Sequence, residues 1–223
     1  MTSDGECSDD LVQGLAAWGA VGFSGVVVAE GDGTSCSVAV GTADRERDRP
    51  MSTASVFSIG SVSKTVVAAA VLQLVADDIV SLGDPAGTFL PTLRGPVAEA
   101  PIESLLQHTS GLVGSHGEDH VALSREEAID AIGALEVDAS AVGQFLYSNA
   151  GYTLLALVVE EVTDGGYRQY LADRILPEGA GFWDGAPRRS ATVPSGTPTA
   201  GRRINGATSQ ARTGRWRATA TWP

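Results

Sequence analysis

The chain contains one lysine, Lys64, and it stands three residues after Ser61 in the stretch FSIGSVSKTVVAAAVLQLV, residues 57–75. A serine hydroxyl is a poor nucleophile until a base takes its proton. On a helix, positions i and i+3 share a face, so Ser61 and Lys64 can meet. Lysine can act as the base when burial and neighbours depress its pKa. Residues 65–76, TVVAAAVLQLVA, carry no charge, and a helix apolar nearly all round is buried on all sides. A helix N-terminus also disfavours a cation, by about 0.3–1 kcal/mol when exposed. Both effects favour neutral Lys64. The same helix end directs backbone N–H groups toward an oxyanion forming on a substrate bonded to Ser61. The spacing alone is unspecific: 20 serines in 223 residues give it by chance about 20 times in 223, so a surface lysine behind an unrelated serine stays an open reading.

The elements that must position this pair are legible nearby. Residues 11–29 are uncharged but include four glycines and end in a β-type run, which reads as a short helix and a strand rather than a membrane segment. Ser24 to Ala29, the turn chemistry of residues 30–33, and Ser35 to Val40 together read as a hairpin. Residues 43–54 read as a polar connection, and Val56 to Ile59 as a short strand-like run. The helix of the lysine spans about Ser61 to Asp77. Pro101 opens a short helix stopped by Ser110-Gly111. Ser124 and Glu127 form a capping box for a helix to about Leu135. Asn149 to Val162 and Tyr167 to Leu176 read as two more helices, with Asn149 available as an N-cap.

Net charge is −12, split as −17 over residues 1–177 and +5 over 178–223. An acidic chain does not attract nucleic acid or anionic lipid. After Pro177 there is no leucine, and Val193 and Ile204 are the only large aliphatics. Such a segment buries too little apolar area to offset its ordering entropy, so 178–223 is expected to be a disordered basic tail. Its seven arginines are scattered rather than striped along a helix, and nucleic acid is not an expected partner. Residues 1–10 are acidic, lack a basic leader region and are expected to be disordered, which makes the cytoplasm the default location. Two cysteines, Cys7 and Cys36, are too few for a disulfide framework, and their pairing cannot be read from spacing. His116, Glu118 and His120 in SHGEDH lack the H-E-x-x-H spacing and read as a solvated loop, not a metal site.

The pattern F-x-I-G-S-x-S-K resembles the nucleophile signature of the serine β-lactamase and penicillin-binding-protein family. The likeness is to its branch of class C-like β-lactamases, D-alanyl-D-alanine carboxypeptidases and esterases. LLQHTSGL, residues 105–112, and FLYSNAGYTLLA, residues 145–156, are similar to two further segments of that family. FSGVVVAEGDG and the ADRER run are similar to its opening hairpin. The resemblance covers about residues 11–177. It implies an α+β fold: an antiparallel N-terminal hairpin with a helical subdomain. It implies that Ser61 is acylated, that Lys64 holds or takes its proton, and that Tyr147 is a partner base or proton shuttle. Asn149 would bind the substrate amide and help fix Lys64. His108 reads as structural, a cation at the end of a short helix. No metal or organic cofactor is implied, and the partner would be a small-molecule or peptide substrate: a β-lactam, a D-Ala peptide or a small ester.

One family feature is missing. The third motif, K-T-G, K-S-G or H-x-G, cannot occur in its lysine forms, because Lys64 is the only lysine. None of His108, His116 and His120 has glycine two residues on. The expectation is therefore a partial domain, residues 11–177, without the C-terminal strands of its sheet and with an out-of-frame or truncated end. Two readings stay open: a serine hydrolase acting through an acyl-enzyme, or an inactive fragment. No oligomeric state is indicated.

Overall fold

A computed structural model describes residues 2–5, 7–31, 34–57, 59–117, 121, 123–176, 180 and 182. The expected tail, residues 178–223, lies almost wholly outside the described residues, as do Glu118 and His120. The chain divides into two compact units, one drawn from Met1–Phe57 and the other from Ser58–Asp184.

The first unit begins with strand β1, Thr2–Asp4, followed by helix α1, Asp9–Ala20. Ser8 caps α1 by accepting from Leu11 N–H, and Asp9 and Asp10 complement its positive end. Strands β2, Gly25–Gly31, and β3, Thr34–Val40, form the expected hairpin, running a little longer than the β-branched core of each. Their register runs from Gly25 opposite Val40 to Gly31 opposite Thr34. The sheet order is β1-β3-β2. Leu15 of α1 packs on Val38 and Val40 of β3. The polar connection contains a second small pairing, β4 (Thr42–Asp44) with β5 (Arg49–Pro50).

One expectation needs correcting here, and one pairing left open by the sequence can be given. The N-terminus is not disordered throughout: Thr2–Asp4 pairs antiparallel with Ser37–Ala39. The backbone supplies that pairing, which charge and composition do not encode. Cys7 and Cys36 are disulfide-bonded, with Cα atoms 5.2 Å apart. The bond ties the segment before α1 to β3 across 29 residues. A loop of that size removes about 3–4 kcal/mol of unfolded-state entropy in the chain-entropy account. Reduction with dithiothreitol is therefore expected to lower the thermal midpoint, and Cys7→Ser/Cys36→Ser should match the reduced protein. Equal midpoints with and without reductant would show that the bond contributes nothing.

The second unit is helical. A 3-10 turn, Gly60–Val62, leads into α2, Ser63–Ala76. No strand forms at Val56, Phe57 or Ile59, which run directly into that turn. Next come α3, Ala86–Phe89, a 3-10 turn at Pro96–Glu99, and α4, Ile102–Leu106. Helix α5, Arg125–Gly133, has the expected capping box: Glu127 N–H donates to Ser124 Oγ while Ser124 N–H donates to Glu127 Oε2. Helices α6, Asn149–Val162, and α7, Gly166–Arg174, complete the unit.

Helix α6 is the axis of this unit. It packs against α2, α3, α4, α5 and α7. Every residue from Leu154 to Val159 is fully enclosed, which matches a helix apolar on all sides. Helix α2 departs from the expectation of burial all round. Val67, Ala70, Val71 and Leu74 enter the core, but Thr65, Ala69, Leu72 and Ala76 form an exposed stripe. Uniform apolarity removes the polar face that would have told the two sides apart.

Candidate active site

Ser61 lies in the 3-10 turn, two residues before α2, and Lys64 lies in the first turn of α2. In 3-10 geometry side chains at i and i+3 eclipse. The pair therefore straddles the junction of turn and helix rather than sharing an α-helix that starts at Ser61. The serine is exposed, while the lysine is buried beneath it at 9% exposure.

The other two residues come from the start of α6. Extended backbone at Ser148 (φ −130°, ψ 121°) makes it the N-cap, with its hydroxyl accepting from Gly151 N–H. Asn149 is not the cap, although both residue types can serve. As the first helical residue it instead turns its amide toward α2, and Lys64 Nζ donates to Asn149 Oδ1 at 2.7 Å. Tyr147, one residue before the cap, donates from its hydroxyl to Ser61 Oγ at 2.8 Å. Four residues separated by up to 88 positions thus converge: Ser61, Lys64, Tyr147 and Asn149.

Lys64 lies among aromatic rings as well as beside Asn149. Its Nζ lies 5.1 Å from the Tyr147 ring centroid and 5.7 Å from that of Tyr152. Ring faces and an amide oxygen are partners that attract a cation. The Tyr147 phenol responds to this. Burial pushes it up, but its hydrogen bonds with Ser61 and Lys64 and the Lys64 charge outweigh burial, so it sits below its ordinary 10.0. Tyr152 moves the other way, raised by burial and by Tyr147. Its hydroxyl donates to the Leu106 carbonyl at 2.9 Å. An ionised Tyr147 could accept the Ser61 proton directly, and the arrangement can thus perform base-assisted nucleophilic attack.

His108 is closer to this chemistry than its position after α4 suggests. Its ring lies 4.5 Å from the Tyr147 ring and 4.9 Å from that of Tyr152. Burial and the Lys64 charge hold its pKa below 6.5, so it is not the cation expected at a helix end. The sequence hint was its place in LLQHTSGL, residues 105–112. Gly111, three residues on, has φ +71°, and a Cβ there would come within 2.6 Å of the Asp138 carbonyl oxygen. The close approach lets residues 108–113 run along 136–148, the segment that carries Tyr147.

His116 is half-buried rather than solvated, and its Nε2 pairs with Thr153 Oγ1 at 3.2 Å. Its intended companions Glu118 and His120 are outside the described residues. Among the described residues no group of three His, Cys, Asp or Glu side chains is placed to hold a metal.

A family model described as Beta-lactamase matches residues 9–221. That match runs well past residue 177, where the likeness of the motifs had been read to end. The chain is 31% identical over 168 residues to PbpX of Bacillus subtilis, named as a penicillin-binding protein, covering 73% of this chain and 42% of that one. It is 26% identical over 171 residues to a teichoic acid D-alanine hydrolase of Staphylococcus aureus, covering 74% and 42%. Among solved structures, the D-amino acid amidase of Ochrobactrum anthropi complexed with D-phenylalanine superposes with a TM-score of 0.65 at 27% identity, over 75% of this chain and 49% of that one. The chain thus spans about two fifths of the length of these curated relatives.

Proposed function

From the premise that the chain belongs to the beta-lactamase family, whose fold it shares, we propose that it is a serine hydrolase. Ser61 is the nucleophile, Tyr147 the base that takes its proton, Lys64 the cation that keeps the phenol acidic, and Asn149 the residue that fixes Lys64 and meets the substrate amide. The observation that carries this reading is the 2.8 Å contact of Tyr147 with Ser61 beside buried Lys64. Attack by Ser61 Oγ on an amide or ester carbonyl forms the C–O bond and a tetrahedral oxyanion. Collapse expels the amine or alcohol, which takes the proton from Tyr147. Water then attacks the acyl-enzyme and gives one proton to Tyr147; collapse breaks the ester bond to Ser61, whose Oγ takes that proton back from Tyr147 as the acid leaves. Ser61 stands two residues before α2, so the positive end of that helix favours the oxyanion.

The substrate class supported by the relatives is a D-amino acyl ester or amide. One of them is named for hydrolysis of D-alanine from teichoic acid and another as a D-amino acid amidase. The test is turnover of D-alanyl and L-alanyl esters and anilides, and of a β-lactam, with and without chelator. Faster D-alanyl hydrolysis, unaffected by chelator and absent in Ser61→Ala, is the expected outcome. No turnover by folded protein would favour the second reading, a catalytically inactive chain. Inhibition by chelator would point to a metal hydrolase.

The Cys7–Cys36 bond supports an oxidising compartment rather than the cytoplasm. No described helix is long and apolar enough to cross a membrane.

A further inference from the structure

His108 touches the Tyr147 segment on both sides of the tyrosine. Its carbonyl accepts from Leu146 N–H at 2.7 Å, and its Nδ1 accepts from Ser148 N–H at 3.1 Å. Between those two bonds lies Tyr147, with its ring stacked on the imidazole at a 32° tilt. Phe145 meets the imidazole edge-on from outside, at 5.7 Å. The backbone of His108 is in the left-handed region, φ +58°, a conformation that non-glycine residues seldom adopt. That turn is what presents carbonyl and ring to the same segment.

From this geometry we infer that His108 is a positioning residue for the base: only its neutral Nε2–H tautomer, with Nδ1 free to accept, holds Tyr147 against Ser61. The inference rests on the proposed role of Tyr147 and adds a control on it. A protonated imidazole has no acceptor for the Ser148 N–H. It would also place a second cation near Lys64, the charged group that faces it from α2. The other titratable groups against the ring, among the described residues, are Tyr147 and Tyr152. Neither is an acid that would offset the charge at low pH. Burial and Lys64 already press His108 toward the neutral form. The sign follows: the clamp is closed above the His108 pKa and opens as pH falls through it, at a value below 6.5.

The first test needs no activity. Nitrogen-15 NMR of histidine-labelled protein at neutral pH is expected to show an unprotonated Nδ1 on His108. On acidification, the Ser148 amide and the Tyr147 ring signals should move with the His108 midpoint. A protonated Nδ1 at neutral pH, or Tyr147 signals that ignore the His108 titration, would overturn the inference. The second test reads the rate at which a fluorophosphonate labels Ser61. His108→Asn keeps an acceptor near the Nδ1 position and tolerates the left-handed backbone. His108→Leu removes the acceptor. Loss on the order of 10²-fold is expected for His108→Leu, the size of a misplacement effect. His108→Asn should recover most of it and lose the additional fall of the wild-type rate below the His108 midpoint. An unchanged acid limb in His108→Asn contradicts the assignment. Wild-type protein that never labels at Ser61 would instead defeat the hydrolase reading, and the NMR result would still decide the role of His108.

Discussion

Tyr147→Phe is expected to slow acylation of Ser61 by about 10²–10⁴-fold, the range lost with a general base. The phenol hydroxyl is the group lost, and it bonds Ser61. The ring is 49% exposed, and phenylalanine keeps its stack on His108. Stability should therefore hardly change, and the loss is chemical. The pH profile makes the test sharper. If ionised Tyr147 takes the serine proton, the rate rises with pH until the phenol is fully ionised. Because Lys64 and Ser61 hold the phenol below 10.0, the plateau comes earlier than for an ordinary tyrosine. The Phe variant should lack this rise. A variant that keeps both the rate and the limb would move the base elsewhere.

Lys64→Met is expected to cost about 10³–10⁴-fold, because it removes two effects together. The cation that acidifies Tyr147 goes, and so does the donor that orients Asn149 Oδ1. Methionine fills most of the space left by the lysine stem. The hydrogen-bond partner shown for the buried Lys64 head is the neutral amide of Asn149, and burying a charged group on such a partner does little for folding. Stability should thus shift by no more than about 1 kcal/mol, the scale of one hydrogen bond. Ultraviolet titration of the tyrosines adds an independent readout. One phenol titrating below the others in the parent should rejoin them in Lys64→Met. Arginine is not expected to rescue, since its larger planar head cannot sit over both rings and reach Asn149 as a point charge does. Parent-like acylation by Lys64→Met would remove the lysine from the mechanism.

Much of this site was legible because its parts carry local signals. The Ser61–Lys64 spacing is a turn property, and the apolar runs of α2 and α6 announce themselves by composition. The capping box at Ser124 states its own hydrogen bonds. What stayed hidden depends on groups distant in sequence or on competing local choices. Ser148 and Asn149 are both good N-caps, and only the extended backbone at Ser148 decides between them. That choice frees Asn149 for Lys64, a contact across 85 residues. His108 looked like a helix-end cation because its sequence neighbours define a helix end. Its ring is governed instead by Tyr147, Tyr152 and Lys64, which no local rule places beside it. The β1 pairing and the Cys7–Cys36 bond were invisible for the same reason: each is a long-range contact made by a short polar segment. The exposed stripe of α2 shows the reverse failure, where a strong composition signal says buried without saying on which side.

The most direct test of the proposed chemistry is intact-protein mass spectrometry after incubation with a fluorophosphonate and, separately, with a β-lactam. The expected result is a near-stoichiometric single adduct that maps to Ser61, forms more slowly in Tyr147→Phe and Lys64→Met, and is absent in Ser61→Ala. Folded protein that takes up no adduct from either reagent would contradict a nucleophilic Ser61, and Lys64 and Tyr147 would then be a preserved pocket without its chemistry.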